Sequence, residues 1–267
     1  MAAVFFLGPA LSPAARLSQP AERAFETYIT SLEMRLAMQH ARPDTYVAAL
    51  AREGGPQTDA ERALLAGAVQ VEPVNGGSWQ VSGGLLHHWR AAALVSGASP
   101  QDMLALLRDY NHLARYYTPE VVSSGALTND GERATLAMRF KKQRVITVVL
   151  DAEFETQSGL AGAGRGYSFS RSTHIWQVDQ PGSTHERRRA EGADDGFLWR
   201  LNSYWSFEER REGLLIECEA VSLTRDVPAG LGWLITSIIE TLPRASLEFT
   251  LTATKNALAT NALRRHR

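Results

Sequence analysis

The chain predicts an α+β fold in which a long carboxy-terminal helix covers an antiparallel sheet. Three observations predict it. Between Arg133 and Thr224, apolar residues recur at every second position in segments separated by turn residues, which is the signature of antiparallel strands. From Leu247 through Leu251, Thr254 and Leu258 the step changes to three and four, which is helical and one-sided. A second helical pattern, Phe25, Ile29, Leu32 and Leu36, stands at the amino side.

Ala2 to Leu11, AAVFFLGPAL, is apolar and is followed by small residues at Ser12, Ala14 and Ala15. Residues 1–17 therefore read either as a secretory signal without its usual basic start or as an apolar arm on the domain. The first implies a secreted or periplasmic protein, the second a cytoplasmic one. Residues 18–84 read as a helical extension. Its first helix presents Phe25, Ile29, Leu32, Leu36 and Met38 and is broken at Pro43. Thr58 with Glu61 three residues on is a capping box. Val71 to Gly84, with Asn75-Gly76-Gly77 and Gly83-Gly84, reads as loop, and a boundary is expected near Gly84.

Leu85 to Ser96 alternates as a strand, with Leu86, His88, Arg90 and Ala92 on one face. Ser99-Pro100 opens a helix that buries Met103, Leu106, Leu107 and Tyr110. A second short helix carries Leu113, Tyr116 and Tyr117 and stops near Pro119. Strands follow at 121–127, 133–142, 145–156, 167–178, 197–208 and 214–224, with a turn at Asn129-Asp130-Gly131 and a glycine-rich break at 159–166. Gly230 and Gly232 then lead into the apolar run Leu234, Ile235, Ile238 and Ile239, and Thr241 caps a fresh helical segment with Pro243 in its first turn.

The 267 residues, 44% of them hydrophobic, suffice for one large domain, or a domain with an accessory piece. A net charge of −1 gives no support to nucleic-acid binding. One cysteine, Cys218, excludes an internal disulfide and a multi-cysteine metal site. No apolar run approaches the ~20 residues that span a bilayer.

The order of elements resembles the helix-grip fold of the START/Bet v 1 (SRPBCC) superfamily, which also takes in polyketide cyclase-like and coenzyme-Q-binding proteins. The resemblance spans 85–263 and is carried by SPQDMLALLRDYNHLARYY, FLWRLNSYWSFEER, GLLIECEAVSLTRDVP and GLGWLITSIIETLPRASLEFTLTATKNAL. It implies a curved antiparallel sheet wrapped round the terminal helix over residues 85–267, with an apolar cavity between them. It also implies a hydrophobic ligand, and in a minority of members an enzyme. The helical extension has no counterpart in the minimal fold.

No short motif fixes a chemistry. The closing strands place Arg200, Asn202 and Tyr204 on one face, beside Glu217 and Glu219 on the next strand. These are either a polar patch orienting a ligand in the cavity or cross-strand ion pairs on the outer face. Tyr116 and Trp233 are the aromatics expected at the cavity mouth. His87 and His88 alternate across a strand and cannot share a metal, and neither a metal nor another cofactor is expected. Arg187-Arg188-Arg189 and Lys141-Lys142 are either solvated or make transient contact with anionic lipid head groups. The leading expectation is binding or transport of a lipid, quinone or polyketide-like molecule between sheet and terminal helix. The rivals are a cyclase/aromatase-like enzyme built on Glu217, Glu219, Tyr204 and Arg200, and a ligand-free structural or interaction module. Nothing in the sequence sets the oligomeric state.

Overall fold

A computed structural model describes residues 17–50, 58–143, 147–162, 164–190, 194–226 and 232–265, the last of these with side chains from 241 to 260. The signal-like stretch at the amino end lies outside the described residues but for Leu17.

Helix α1, Gln19–His40, starts where the Ser18 side chain accepts the Ala21 amide, with Pro20 in the first turn. It buries Ala21, Phe25, Ile29, Leu32 and Leu36. Met38 lies two positions beyond Leu36, off that stripe, and is 66% exposed, so it does not belong to the apolar face. Two 3₁₀ turns follow, Pro43–Thr45 and Ala48–Leu50, and then α2, Asp59–Leu65, with the Thr58–Glu61 capping box formed.

The glycine-rich stretch before Gly84 is a strand, not a loop. Strand β1, Gln70–Val81, pairs antiparallel with β2, Gly84–Val95, through a turn at 82–83. Asn75, Gly76 and Gly77 take positive φ (51°, 84° and 83°) and form the irregularity that interrupts the register between Pro73 and Ser78. A Cβ on Gly77 would meet the Trp89 ring at 2.7 Å, so the turn residues here serve a bulge and a close approach. The sheet thus includes residues on both sides of Gly84.

Helices α3, Pro100–Leu107, and α4, Leu113–Tyr116, come next, α3 with a capping box between Ser99 and Asp102. Strands β3 (Val121–Asn129), β4 (Arg133–Gln143), β5 (Thr147–Leu160) and β6 (Arg165–Asp179) form a meander. β5 and β6 run further than the glycines predict, and only a short turn separates them. A short β7, Arg187–Arg188, pairs with β6, and β8 (Arg200–Arg210) and β9 (Gly213–Thr224) close the series. The sheet order is β1-β2-β9-β8-β6-β5-β4-β3, all antiparallel. Register shifts in β1/β2, β3/β4 and β5/β6 accompany its curvature.

Helix α5, Gly232–Arg265, is continuous through Pro243, where a fresh cap at Thr241 is predicted. Proline removes one N–H from the ladder without ending the helix. α5 lies on the concave face over β1, β2 and β9, while α3 covers the β5–β6–β8 part of that face and α4 meets β3. Leu247, Leu251, Thr254 and Leu258 face inward, each no more than 4% exposed. The three leucines join Ala91, Ala93, Val95, Trp205, Phe207, Ile216 and Cys218 in the main core. The opposite, convex face is also covered: α1 packs on Leu86, Tyr204, Val221 and Leu223, and Tyr46, Val47 and Leu64 pack on Ala92, Leu94 and Leu215. The architecture is the helix-grip α+β fold with a helical layer added on its outer face.

Leu251→Ala should cost about 2–5 kcal/mol, because a fully buried side chain at the helix–sheet seam leaves a cavity on truncation. Urea unfolding midpoints of the two chains measure it.

Candidate functional site

Two regions qualify: the polar face of β8 and β9, and the concave face with the groove between α4 and α5. The first is assembled as the alternation predicts but sits on the side away from α5. Arg200, Asn202, Tyr204, Glu217 and Glu219 all face α1 and the 3₁₀ turns. They therefore do not line a cavity between the sheet and the terminal helix. Strand parity explains this. Cys218 and Ile216 belong to the α5 core, and Glu217 and Glu219 alternate with them.

Each of these groups is engaged with the added helical layer. Glu219, 1% exposed, accepts from Arg35 of α1 at 2.5 Å, from His88 Nε2 at 2.8 Å and from Arg90 at 3.3 Å. A carboxylate only accepts, so His88 donates from Nε2, and its Nδ1 then accepts the Tyr28 hydroxyl at 2.7 Å. Tyr28 in turn accepts from Asn75 at 3.0 Å, and the chain of bonds is complete. Burial pushes the Glu219 pKa up, but His88, Arg90 and Arg35 outweigh it and hold the group at about 2. Burial pushes the pKa of His88 down.

Glu217, also 1% exposed, accepts the backbone N–H of Ala49 at 2.7 Å and of Ala48 at 3.2 Å, with Arg90 at 3.9 Å. Burial dominates here and raises its pKa to about 7, against the pull of Arg90. The Tyr204 hydroxyl donates to Glu33 at 2.8 Å and accepts from Asn202 at 3.1 Å, and burial raises its pKa. Arg200 pairs with Glu22. In chemical terms this face is a buried, satisfied network that fastens α1 and the 3₁₀ turns to the sheet.

The second region is the concave face. Its centre is floored by small side chains: Ser170 pairs with Ser203, Ser203 with Ala220, and Ser172 accepts the Leu201 amide at 2.9 Å. These residues are only half-buried. Met138, Phe140, Val148 and Leu201 border them as half-buried apolar groups packed on the core. One end is closed by α3, whose Arg108 donates to the Ser158 hydroxyl at 2.9 Å and to its carbonyl at 2.6 Å. Between α4 and α5 lies an open groove of about 450 Å³, lined by residues of the two helices, Tyr116 among them, and the turn after α4. It is apolar at Phe249 and Ala257 and polar at Arg115, Thr252 and Asn256, with no sheet residue in its lining. Tyr116 therefore stands at an opening beside the terminal helix, its hydroxyl donating to Asp109 at 2.7 Å. The Trp233 side chain lies outside the described residues. The serine floor and Phe249 are not singled out by residue type. The signal for the floor is the run Ser168, Ser170, Ser172 at alternate positions, small where neighbouring strands carry Phe154 and Trp205.

Glu219→Gln should destabilise the fold by about 1–3 kcal/mol near pH 7, because the largely buried Arg90 and the partly exposed Arg35 lose a charged acceptor. Its folded pKa lies below the unfolded value, so its stabilisation is present above about pH 4.5 and lost as pH falls towards 2. The difference between native and variant chains should shrink over that window in urea titrations. Glu217 has the opposite sign. Its raised pKa makes the native chain lose stability, relative to Glu217→Gln, as pH rises from about 4.5 through about 7. The same titrations at stepped pH check this, and a difference that does not change with pH would contradict it.

No family model matches the chain, and no curated protein matches its sequence. Among solved structures it is similar to a STAR-related lipid transfer protein from Xanthomonas axonopodis, at 14% identity over 73% of this chain and 98% of that one, with a TM-score of 0.46. It is similar to the lipid transfer and protein localization domain of human StarD13, at 10% identity over 68% of this chain and 87% of that one, with a TM-score of 0.45. The Zhui aromatase/cyclase from Streptomyces matches at 13% identity over 68% of this chain and 96% of that one, with a TM-score of 0.42. These likenesses lie in the arrangement of elements, and the helix-grip fold rests on the chain's own strand order and the seat of its terminal helix.

Proposed function

We propose that the protein binds or carries a hydrophobic small molecule, of the lipid, quinone or polyketide-like class, in the hollow between the concave sheet and α5. The observation that carries this reading is the concave sheet face, whose centre has small, half-buried side chains. A separate open groove of about 450 Å³, lined by α4, α5 and the turn after α4 with no sheet residue, lies between those helices. A face meant only to seat a helix would be filled to the density of a protein interior. Here Ser170, Ser172, Ser203 and Ala220 are small and half-buried, and Met138, Phe140 and Val148 are half-buried apolar groups packed on the core. Burial of ligand surface there contributes about 25 cal/mol per Å² before the entropic cost of binding is subtracted. Tyr116 is the mouth residue in this reading. Arg200, Asn202, Tyr204, Glu217 and Glu219 serve the α1 contact, so the acid–base groups of the enzymatic alternative are engaged on the opposite face.

Native mass spectrometry and solvent extraction of the purified chain should release a lipophile. Ala257→Trp, at a half-buried position lining the groove, should weaken binding of a fluorescent fatty acid at least about tenfold while leaving the melting temperature near the native value. Empty extracts together with no saturable binding of the probe would sink the reading.

A further inference from the structure

A separate groove opens on the convex side, between the last turn of α1 and the β5–β6 end of the sheet, with a volume of about 300 Å³. Four rings, His40, Tyr46, Tyr167 and Phe169, form part of its wall. His40 stacks on Tyr46 at 4.4 Å between centroids, and lies within 7° of parallel to Phe169 at 6.2 Å. Tyr167 leans on Phe169 at 5.1 Å. None of these residues belongs to the hollow under α5. Parallel ring faces favour a flat occupant, which stacks or meets them edge-on better than a flexible chain does.

Two further observations define what would fit. The Tyr46 side chain lines the groove, is 2% exposed, and its hydroxyl has no hydrogen-bond partner among the described residues. A buried hydroxyl left unmatched is costly, and a polar atom on a ligand would remove that cost. The two charged residues that line the groove, Arg171 and Glu33, pair with each other at 2.6 Å; away from the lining, Arg165 (2.7 Å) and Arg210 (2.6 Å) share the single carboxylate of Glu208. His40 is held by Ser206 at 2.8 Å, and burial lowers its pKa to about 4, so it is neutral at pH 7. The charged side chains of the lining itself balance, so the lining calls for no ionic ligand.

We propose that this groove is a second binding site, taking a neutral mono- or bicyclic aromatic molecule with its ring against His40 and Phe169 and one polar atom on the Tyr46 hydroxyl. The size agrees. An apolar cavity of about 150 Å³ holds a benzene ring, so about twice that admits two fused rings. The rim residues Ala37 and Ala161 are exposed, which leaves the ring an entry path.

The test uses 2-naphthol and naphthalene with the full chain, reading nuclear Overhauser contacts from probe to protein and affinities by titration. Both probes should contact His40 and Phe169. Tyr46→Phe should weaken 2-naphthol about three- to tenfold, the loss expected for one hydrogen bond, and leave naphthalene unchanged. Ala37→Trp should abolish these contacts for both, and Ala161→Trp is the second blocking variant should the first fail to fold. Contacts with Phe249 report entry to the groove between α4 and α5 and are removed by Ala257→Trp, so the two grooves are read apart. Contacts at Phe249 alone, no contacts at all, or a 2-naphthol affinity indifferent to Tyr46→Phe would overturn the proposal.

Discussion

Strand β9 has no solvent face between Leu214 and Glu219, and the rest of the molecule is arranged around that constraint. Antiparallel sheets commonly keep one face wet. Here Ile216 and Cys218 enter the core under α5, while Leu215, Glu217 and Glu219 point the other way and are just as buried. A carboxylate without partners in such a place would be driven towards its neutral form. Glu219 stays ionised because His88 and Arg90 of β2 and Arg35 of α1 converge on it. Glu217 is met by the backbone of the 3₁₀ turns. The added helical layer is thus a chemical requirement of the strand it covers.

The same contacts fix where α1 lies. Glu22 meets Arg200, Glu33 meets Tyr204 and Arg171, and Arg35 meets Glu219. These pairs are spread along the helix, so sliding it by one turn would break all of them while its apolar stripe could still find leucines. Partly buried ion pairs contribute little net stability, yet one position satisfies them together. Apolar burial drives the docking of α1, and the charged groups select its register.

The two faces of the sheet consequently differ in kind. The convex face is fastened at the middle by charge and hydrogen bonds, and carries its ring-lined groove only at the β5–β6 end, where α1 stops. The concave face has small hydroxyl and methyl groups at its centre and larger apolar groups at its margins. An open groove beside α5 on that side is what remains when a helix rests on one half of a curved sheet and two short helices cover the other.

Much of this is local and was legible in the residues. Period-two alternation placed β2, β4, β5, β6, β8 and β9 and put Arg200, Asn202, Tyr204, Glu217 and Glu219 on one face, because side chains along a strand must alternate. The capping box at Thr58, the Ser99 cap before Pro100, and the three-four spacing of Leu247, Leu251, Thr254 and Leu258 are likewise local. The glycines at 76 and 77 misled, since a bulge in a strand and a loop call for the same residues. Pro243 misled because the packing of α5 decides whether a proline starts a helix or is carried inside one. Alternation says which residues share a face, but not what lies over it. That the polar face lies under α1, and that Tyr116 stands beside an open groove, depends on contacts between segments more than a hundred residues apart, which no local pattern records.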